Sequence, residues 1–139
     1  DNLKIIKNND GSTSFTQSTL GSSNIFLQGA NFADINNDGW ADIFACHDDA
    51  ESRAYQNNQD GTLTWNAGLI GTATTPSSDN SGNYASMWID YDNDSDLDLI
   101  VANDQNQQNF LFSNNGDKSF TKISNAITSE LNNRRALEE

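Results

Sequence analysis

The chain has 139 residues, with 20 Asp+Glu against 7 Lys+Arg, a formal net charge of -13, one Cys and one His. That length suits one ordinary domain or a few repeats, and the acidity sets the surface against nucleic acid and anionic membrane, both of which would repel it. The lone Cys46 excludes an internal disulfide framework and a multi-thiolate zinc site, and no apolar run approaches the length of a spanning helix.

In chain order, residues 1–24 are predicted to form a leading hairpin, a partial unit in which Lys7, Asn8, Asn9, Asp10 and Gly11 turn the chain toward Phe15 and Thr16. The opening Asp1, Asn2, Leu3 and Lys4 do not read as a secretory leader. Residues 25–67 read as a full unit of four short strands near 28–33, 42–47, 53–57 and 62–66, with an acidic loop at 34–42. Residues 68–83, rich in Gly, Thr, Ser and Asn and holding the only proline, Pro76, read as a long connection. A second full unit spans 84–124, with strands near 84–89, 97–103, 108–113 and 118–123 and an acidic loop at 90–98. The tail, 125–139, has a pattern compatible with a short amphipathic helix from 127 onward and carries no functional weight. Strands of this length and spacing indicate an all-β architecture of two four-stranded antiparallel units plus the leading hairpin.

Self-similarity is the strongest signal in the chain. Asp34, Asn36, Asp38 and Asp42 recur, displaced by 56 positions, as Asp90, Asp92, Asp94 and Asp98. An apolar run follows each loop, Ile43, Phe44, Ala45 and Cys46 in one and Leu99, Ile100, Val101 and Ala102 in the other. A hairpin signal occurs three times: Asn8, Asn9, Asp10 and Gly11; Asn57, Asn58, Asp60 and Gly61; Asn114, Asn115, Gly116 and Asp117.

The alternating positions of the two loops suit a hard cation. Ca²⁺ takes six to eight oxygens at about 2.3–2.6 Å in flexible geometry. Asp34, Asn36, Asp38 and Asp42 would supply side chains in the first loop, and Trp40 its carbonyl. Asp90, Asp92, Asp94 and Asp98 would do so in the second, with the carbonyl of Asp96. Gly39 permits a sharp turn, whereas Ser95 in the matching place implies strain. Two Ca²⁺ sites are therefore expected, with metal binding coupled to folding, because four crowded carboxylates repel one another when empty. A solvated acidic turn is the alternative for either loop taken alone. An EF-hand needs an acidic residue at the twelfth position and flanking helices; the twelfth positions are Ala45 and Val101, between strand-like flanks.

Residues 90–103, followed by Asn109, Phe110, Leu111, Phe112, Ser113, Asn114, Asn115, Gly116 and on to Thr121, resemble the FG-GAP/VCBS repeat, which builds the β-propeller of integrin alpha subunits and of many bacterial surface proteins. The resemblance covers about 1–124; Gln28, Gly29 and Ala30 are the nearest remnant of the name signature. It implies four-stranded propeller blades, a Ca²⁺ in the loop joining the first two strands of each, and an extracellular or cell-surface setting. Propellers close with four to eight blades, so two blades and a leading half imply a longer propeller or a ring of several copies.

Three functions follow as expectations. The first is a calcium-stabilised recognition module, in carbohydrate binding or adhesion, with Trp40, Tyr84 and Tyr91 as ligand-contacting aromatics; the fungal lectins and cell-surface receptors that the resemblance brings in point the same way. The second is a purely structural scaffold repeat of a larger surface protein. The third, a polysaccharide-active enzyme, is not favoured: Asp48 and Asp49 beside His47 read as a turn after a strand, Cys46 and His47 point to opposite faces, and no catalytic residue is assigned. The expected partners are a glycan or protein ligand and further repeats or copies of the chain, with neither nucleic acid nor membrane insertion.

Overall fold

A computed structural model describes residues 2–21, 24–70, 74, 82–103 and 109–123. Ten strands make up the regular structure of these residues: β1 (Leu3–Asn8), β2 (Phe15–Leu20), β3 (Leu27–Ala33), β4 (Asp42–His47), β5 (Arg53–Asn57), β6 (Leu63–Trp65), β7 (Asn83–Ile89), β8 (Asp98–Asn103), β9 (Phe110–Asn114) and β10 (Phe120–Ile123). They pair antiparallel in chain order as a β1–β2 hairpin, a β3–β4–β5–β6 sheet and a β7–β8–β9–β10 sheet. The strands expected at 42–47 and 53–57 match β4 and β5, and the others differ by one or two residues at one or both ends. Most of the 68–83 connection, including Pro76, and the whole of the tail helix expected from 127 fall outside the described residues.

The turns follow from residue type. Gly11, Gly61 and Gly116 take positive φ, the left-handed region that glycine enters without steric cost, and Asp10, Gln59 and Lys118 adopt it in the same turns. Asn8, Asn57 and Asn114 each accept a turn N–H on their side-chain oxygen, from Gly11 at 2.9 Å, Gln59 at 2.9 Å and Gly116 at 3.1 Å. Asparagine thus closes each turn with its own amide.

Alternation of side chains across a strand distributes the core. Ile43, Ala45 and Tyr55 pack toward the hairpin against Leu3, Leu20 and Ile25. Phe44, Cys46 and Ala54 pack the other way, against Leu99, Val101 and Phe112 of the second sheet. Strand β4, covered on both faces, is buried along its whole length, while β8 is only partly buried. Trp88 sits in the seam as a packing aromatic, edge-on to Phe44 at 6.0 Å and to Phe120 at 6.1 Å. Cys46 is a fully buried small residue, and burial pushes its thiol up, which keeps it unreactive. Strands β3 and β7 approach closely at Gly29, where a Cβ would lie 3.0 Å from the Tyr84 carbonyl.

At the end of β4 remote from the acidic loop, an open groove of about 970 Å³ runs between the hairpin and the first sheet, lined in part by Phe26, His47, Asp49 and Arg53. His47 accepts the Phe26 N–H on Nε2 at 3.4 Å and the Asp49 N–H on Nδ1 at 3.3 Å, with Asp49 Oδ1 2.9 Å from the same Nδ1. Burial holds the imidazole pKa below its ordinary 6.5, with Arg53 adding to the effect and Asp49 opposing it. The unfolded chain therefore binds this proton more tightly than the folded one. The stability it confers is complete above pH 6.5 and falls as pH drops through that value. Between pH 7.5 and 5.5 the melting temperature should fall further for the wild type than for His47→Gln; equal falls would exclude His47 as the source.

Candidate metal centre

Both acidic loops connect the first two strands of a four-stranded sheet, 34–42 between β3 and β4 and 90–98 between β7 and β8. They curl in the same way. In the first, Asp34 accepts the N–H of Asp38 at 3.0 Å on one oxygen and that of Gly39 at 2.8 Å on the other. In the second, Asp90 accepts from Asp94 and Ser95, both at 3.2 Å. Asp38 takes the Trp40 N–H at 2.9 Å, and Asp94 takes that of Asp96 at 2.9 Å. Two unrelated acidic turns would not share this pattern bond for bond.

The last aspartate of each loop is fully buried and ties the loop to the sheet. Asp42 accepts the N–H of Ile35 at 3.0 Å and of Asn57 at 2.7 Å. Asp98 accepts that of Tyr91 at 2.6 Å and of Asn114 at 2.8 Å. These pins were absent from the sequence reading, although the signal was there: Asn57 and Asn114 open the recurring Asn-Asn turns. Asn114 reaches further, its side-chain amide donating to Ile35 O at 3.1 Å and Leu97 O at 3.3 Å, so it joins the two loops. Asn37 also donates to Asp96 across the seam.

The second loop brings Asp90, Asp92 and Asp98 together, one carboxylate oxygen of each lying within 4.8 Å of the others. That is about the diameter of a shell of oxygens around one Ca²⁺. Asp94 lies outside this group of three. In the first loop the middle place belongs to Asn36, and no group of three acidic ligands forms there among the described residues. Partial desolvation in the crowded loop raises the pKa of Asp92, and the charges of Asp94 and Asp98 raise it further. Burial likewise raises that of Asp42, against the N–H bonds from Asn57 and Ile35. For Asp38 burial is outweighed by hydrogen bonds from Trp40, Gln59 and Asn36, which hold its carboxyl below the usual range. The aromatics named from sequence are exposed: Trp40 by 46%, Tyr84 by 42% and Tyr91 by 50%.

The turn residues differ as expected. Gly39 has φ 85° and Ser95 has φ 77°, so the serine carries a side chain where glycine costs nothing. Ser95→Gly should stabilise the protein by about 0.5–1 kcal/mol, read as a higher urea midpoint at unchanged slope; a lower midpoint would show that Ser95 is not strained.

The geometry defines an all-β protein of repeated sheets, each carrying an acidic loop. Sequence comparison agrees, with the FG-GAP-like repeat matching residues 1–45, 34–101 and 90–137. The chain belongs to the FG-GAP-like repeat family. Consecutive matches overlap on an acidic loop and the start of the strand after it, so one sequence repeat spans parts of two sheets. No curated protein and no solved structure gives a match.

Proposed function

We propose that this chain is a calcium-binding segment of a β-propeller that serves recognition outside the cell. The observation that carries the reading is the convergence of Asp90, Asp92 and Asp98 in a loop whose partner, 34–42, repeats its hydrogen bonds. Hard carboxylate oxygens favour Ca²⁺ over transition metals, which prefer nitrogen or sulfur. Asp90, Asp92, Asp94 and Asp98, with the Asp96 carbonyl, would hold one ion; Asp34, Asn36, Asp38 and Asp42, with the Trp40 carbonyl, would hold the other. An ion there cancels repulsion among the carboxylates and fixes the first turn of each sheet.

The family setting supports a surface or extracellular location, where calcium is abundant. No helix among the described residues is long and apolar enough to cross a membrane. The two sheets and the hairpin act as blades of a ring completed by further repeats or by other copies of the chain. Trp40, Tyr84 and Tyr91 offer exposed rings on which a sugar could stack. A purely structural scaffold repeat is the second reading, favoured by the commitment of most loop aspartates to backbone N–H groups.

Calorimetric titration of Ca²⁺ into chelator-stripped protein tests the metal assignment. Two bound ions are expected, the 90–98 site the tighter because it has one more carboxylate. Absence of binding at millimolar Ca²⁺ would refute it. A glycan array probed in calcium separates the recognition reading from the scaffold one.

A further inference from the structure

The strand pairs β5–β6 and β9–β10 match position for position, with Tyr55 opposite Trp65 in one and Phe112 opposite Lys122 in the other. In the first pair the cation lies on β5 and the ring on β6, Arg53 standing over Trp65 at 5.0 Å. In the second the order is reversed. The Lys122 ammonium on β10 stands 3.3 Å from the ring centroid of Phe110 and 5.9 Å from that of Phe112, both on β9. An ammonium thus takes the place of an indole. The turns between these strands differ in a related way. They align through the bonds Asn58 N–H to Thr62 O and Asn115 N–H to Ser119 O, both at 3.0 Å. Lys118, at φ 68°, then stands where the first sheet has Gly61 at φ 86°. A long side chain in the left-handed region is strained, and strain of this kind gathers at functional sites.

Both lysines line a cavity of about 380 Å³ in the seam between the two four-stranded sheets, walled on its apolar side by Leu69, Ile70, Phe112 and Phe120. The chain has 20 Asp+Glu against 7 Lys+Arg, yet two of these cations and no carboxylate line this cavity among the described residues. A mostly apolar wall of this size with a few polar groups is the form of a small-molecule site. One side of it is fixed by Asn66, which donates its N–H to Ala54 O at 2.9 Å and accepts those of Leu69 at 3.3 Å and Gly68 at 3.2 Å. Ser119, also at the cavity, gives its N–H at 3.1 Å and its hydroxyl at 2.5 Å to Asp117, so the charge offered to a ligand comes from the lysines. We propose that this cavity binds a carboxylate carried on a short apolar body, its charge met by Lys118 and Lys122 and its chain laid against Leu69, Ile70 and Phe120. A fully hydrated anion such as phosphate would gain nothing from the apolar wall. Partial burial pushes the Lys122 pKa down, a cost that a bound anion relieves.

The inference goes beyond the recognition reading and does not rest on cation binding. The charge of Lys118 also reaches Asp38 of the first acidic loop, so the measurement is made both in calcium and in chelator. The probe is octanoate, titrated calorimetrically into the intact chain beside octanol and acetate, with backbone amide shifts locating the site. Octanoate is expected to saturate one site at about 1 mM or below, with shifts centred on residues 67–70 and 118–122. Octanol lacks the charge and acetate the chain, so each should bind at least about tenfold more weakly. Lys122→Met keeps an apolar stem and removes the charge, and should weaken octanoate at least about tenfold. Lys118→Gly should weaken it too while raising the urea midpoint, because the strained φ is relieved; a binding loss beside a raised midpoint separates lost contact from lost fold. Binding in chelator would sustain the site even if calorimetry detects no bound Ca²⁺. No binding, equal affinity for octanol or acetate, unchanged affinity in both lysine variants, or shifts centred on the groove beside Phe26 and Arg53 would each overturn the proposal.

Discussion

Replacing Asp98 by alanine is expected to destabilise the protein by about 3 kcal/mol, because it strands two backbone donors at once, one buried and one partly buried. The carboxylate is fully buried and accepts the N–H of Tyr91 at 2.6 Å and of Asn114 at 2.8 Å. A buried N–H left without a partner costs about 1–3 kcal/mol, against a total stability of about 5–15 kcal/mol for a domain. Asp98→Asn keeps one acceptor oxygen and should lose about half as much. Urea unfolding followed by circular dichroism measures both, and a loss below about 1 kcal/mol for the alanine variant would show that the pin is not structural. The losses should appear in chelator as well as in calcium, because the bonds to Tyr91 and Asn114 need no ion.

Saturating calcium should raise the melting temperature by on the order of 10 °C relative to chelator. An ion at one hundred times its dissociation constant adds about 2.7 kcal/mol per site, and a domain of this size gains a few degrees per kcal/mol. Asp92→Asn tests the origin of the shift, since Asp92 is the exposed member of the converging three that makes no structural pin. Partial desolvation in the crowded loop and the charges of Asp94 and Asp98 raise its pKa, so its ionised form is disfavoured in the empty loop. The variant should therefore melt higher than the wild type in chelator and lower in calcium. Curves that move in parallel, or a wild type indifferent to calcium, would refute metal binding at this loop.

The two outcomes address different layers of the same loop. Asp98 and Asp42 act inward, joining the loop to the hairpin asparagine of their own sheet, and Asn114 then ties the second loop to the first through Ile35. Asp90 and Asp92 face the solvent side, where a cation can reach them. A loop rigidified from within presents converging oxygens without first having to be ordered, and this preorganisation favours binding.

The repeat and its loops were legible in the sequence because their causes are local. Positive φ at Asn37, Gly39 and Asn93 needs asparagine or glycine, strand pleating needs alternation, and a hairpin needs Asn, Asp or Gly, so each leaves a mark within a few residues. Eight of the 20 acids, namely Asp34, Asp38, Asp42, Asp90, Asp92, Asp94, Asp96 and Asp98, fall in the two loops for the same local reason. Ser95 could be marked as strained before its φ was known, since only backbone handedness was at issue.

What only the tertiary structure decided depends on residues distant in the chain. Asp38 and Asp42 look alike in sequence, yet Asp42 is buried and pinned to Asn57 while Asp38 stays near the surface beside Gln59. The fate of Ile6 against Tyr55 and of Phe32 against Trp88 follows from what packs on their face, the hairpin over Tyr55 and Phe44 against Trp88, not from the residues themselves. The sequence determined the strands, the turns and the chemistry of each loop, because these arise from short-range sterics and hydrogen bonding. Which carboxylates face inward, and which hydrophobic faces are left for a partner, was decided by the stacking of hairpin and sheets, because burial depends on what packs from elsewhere in the chain.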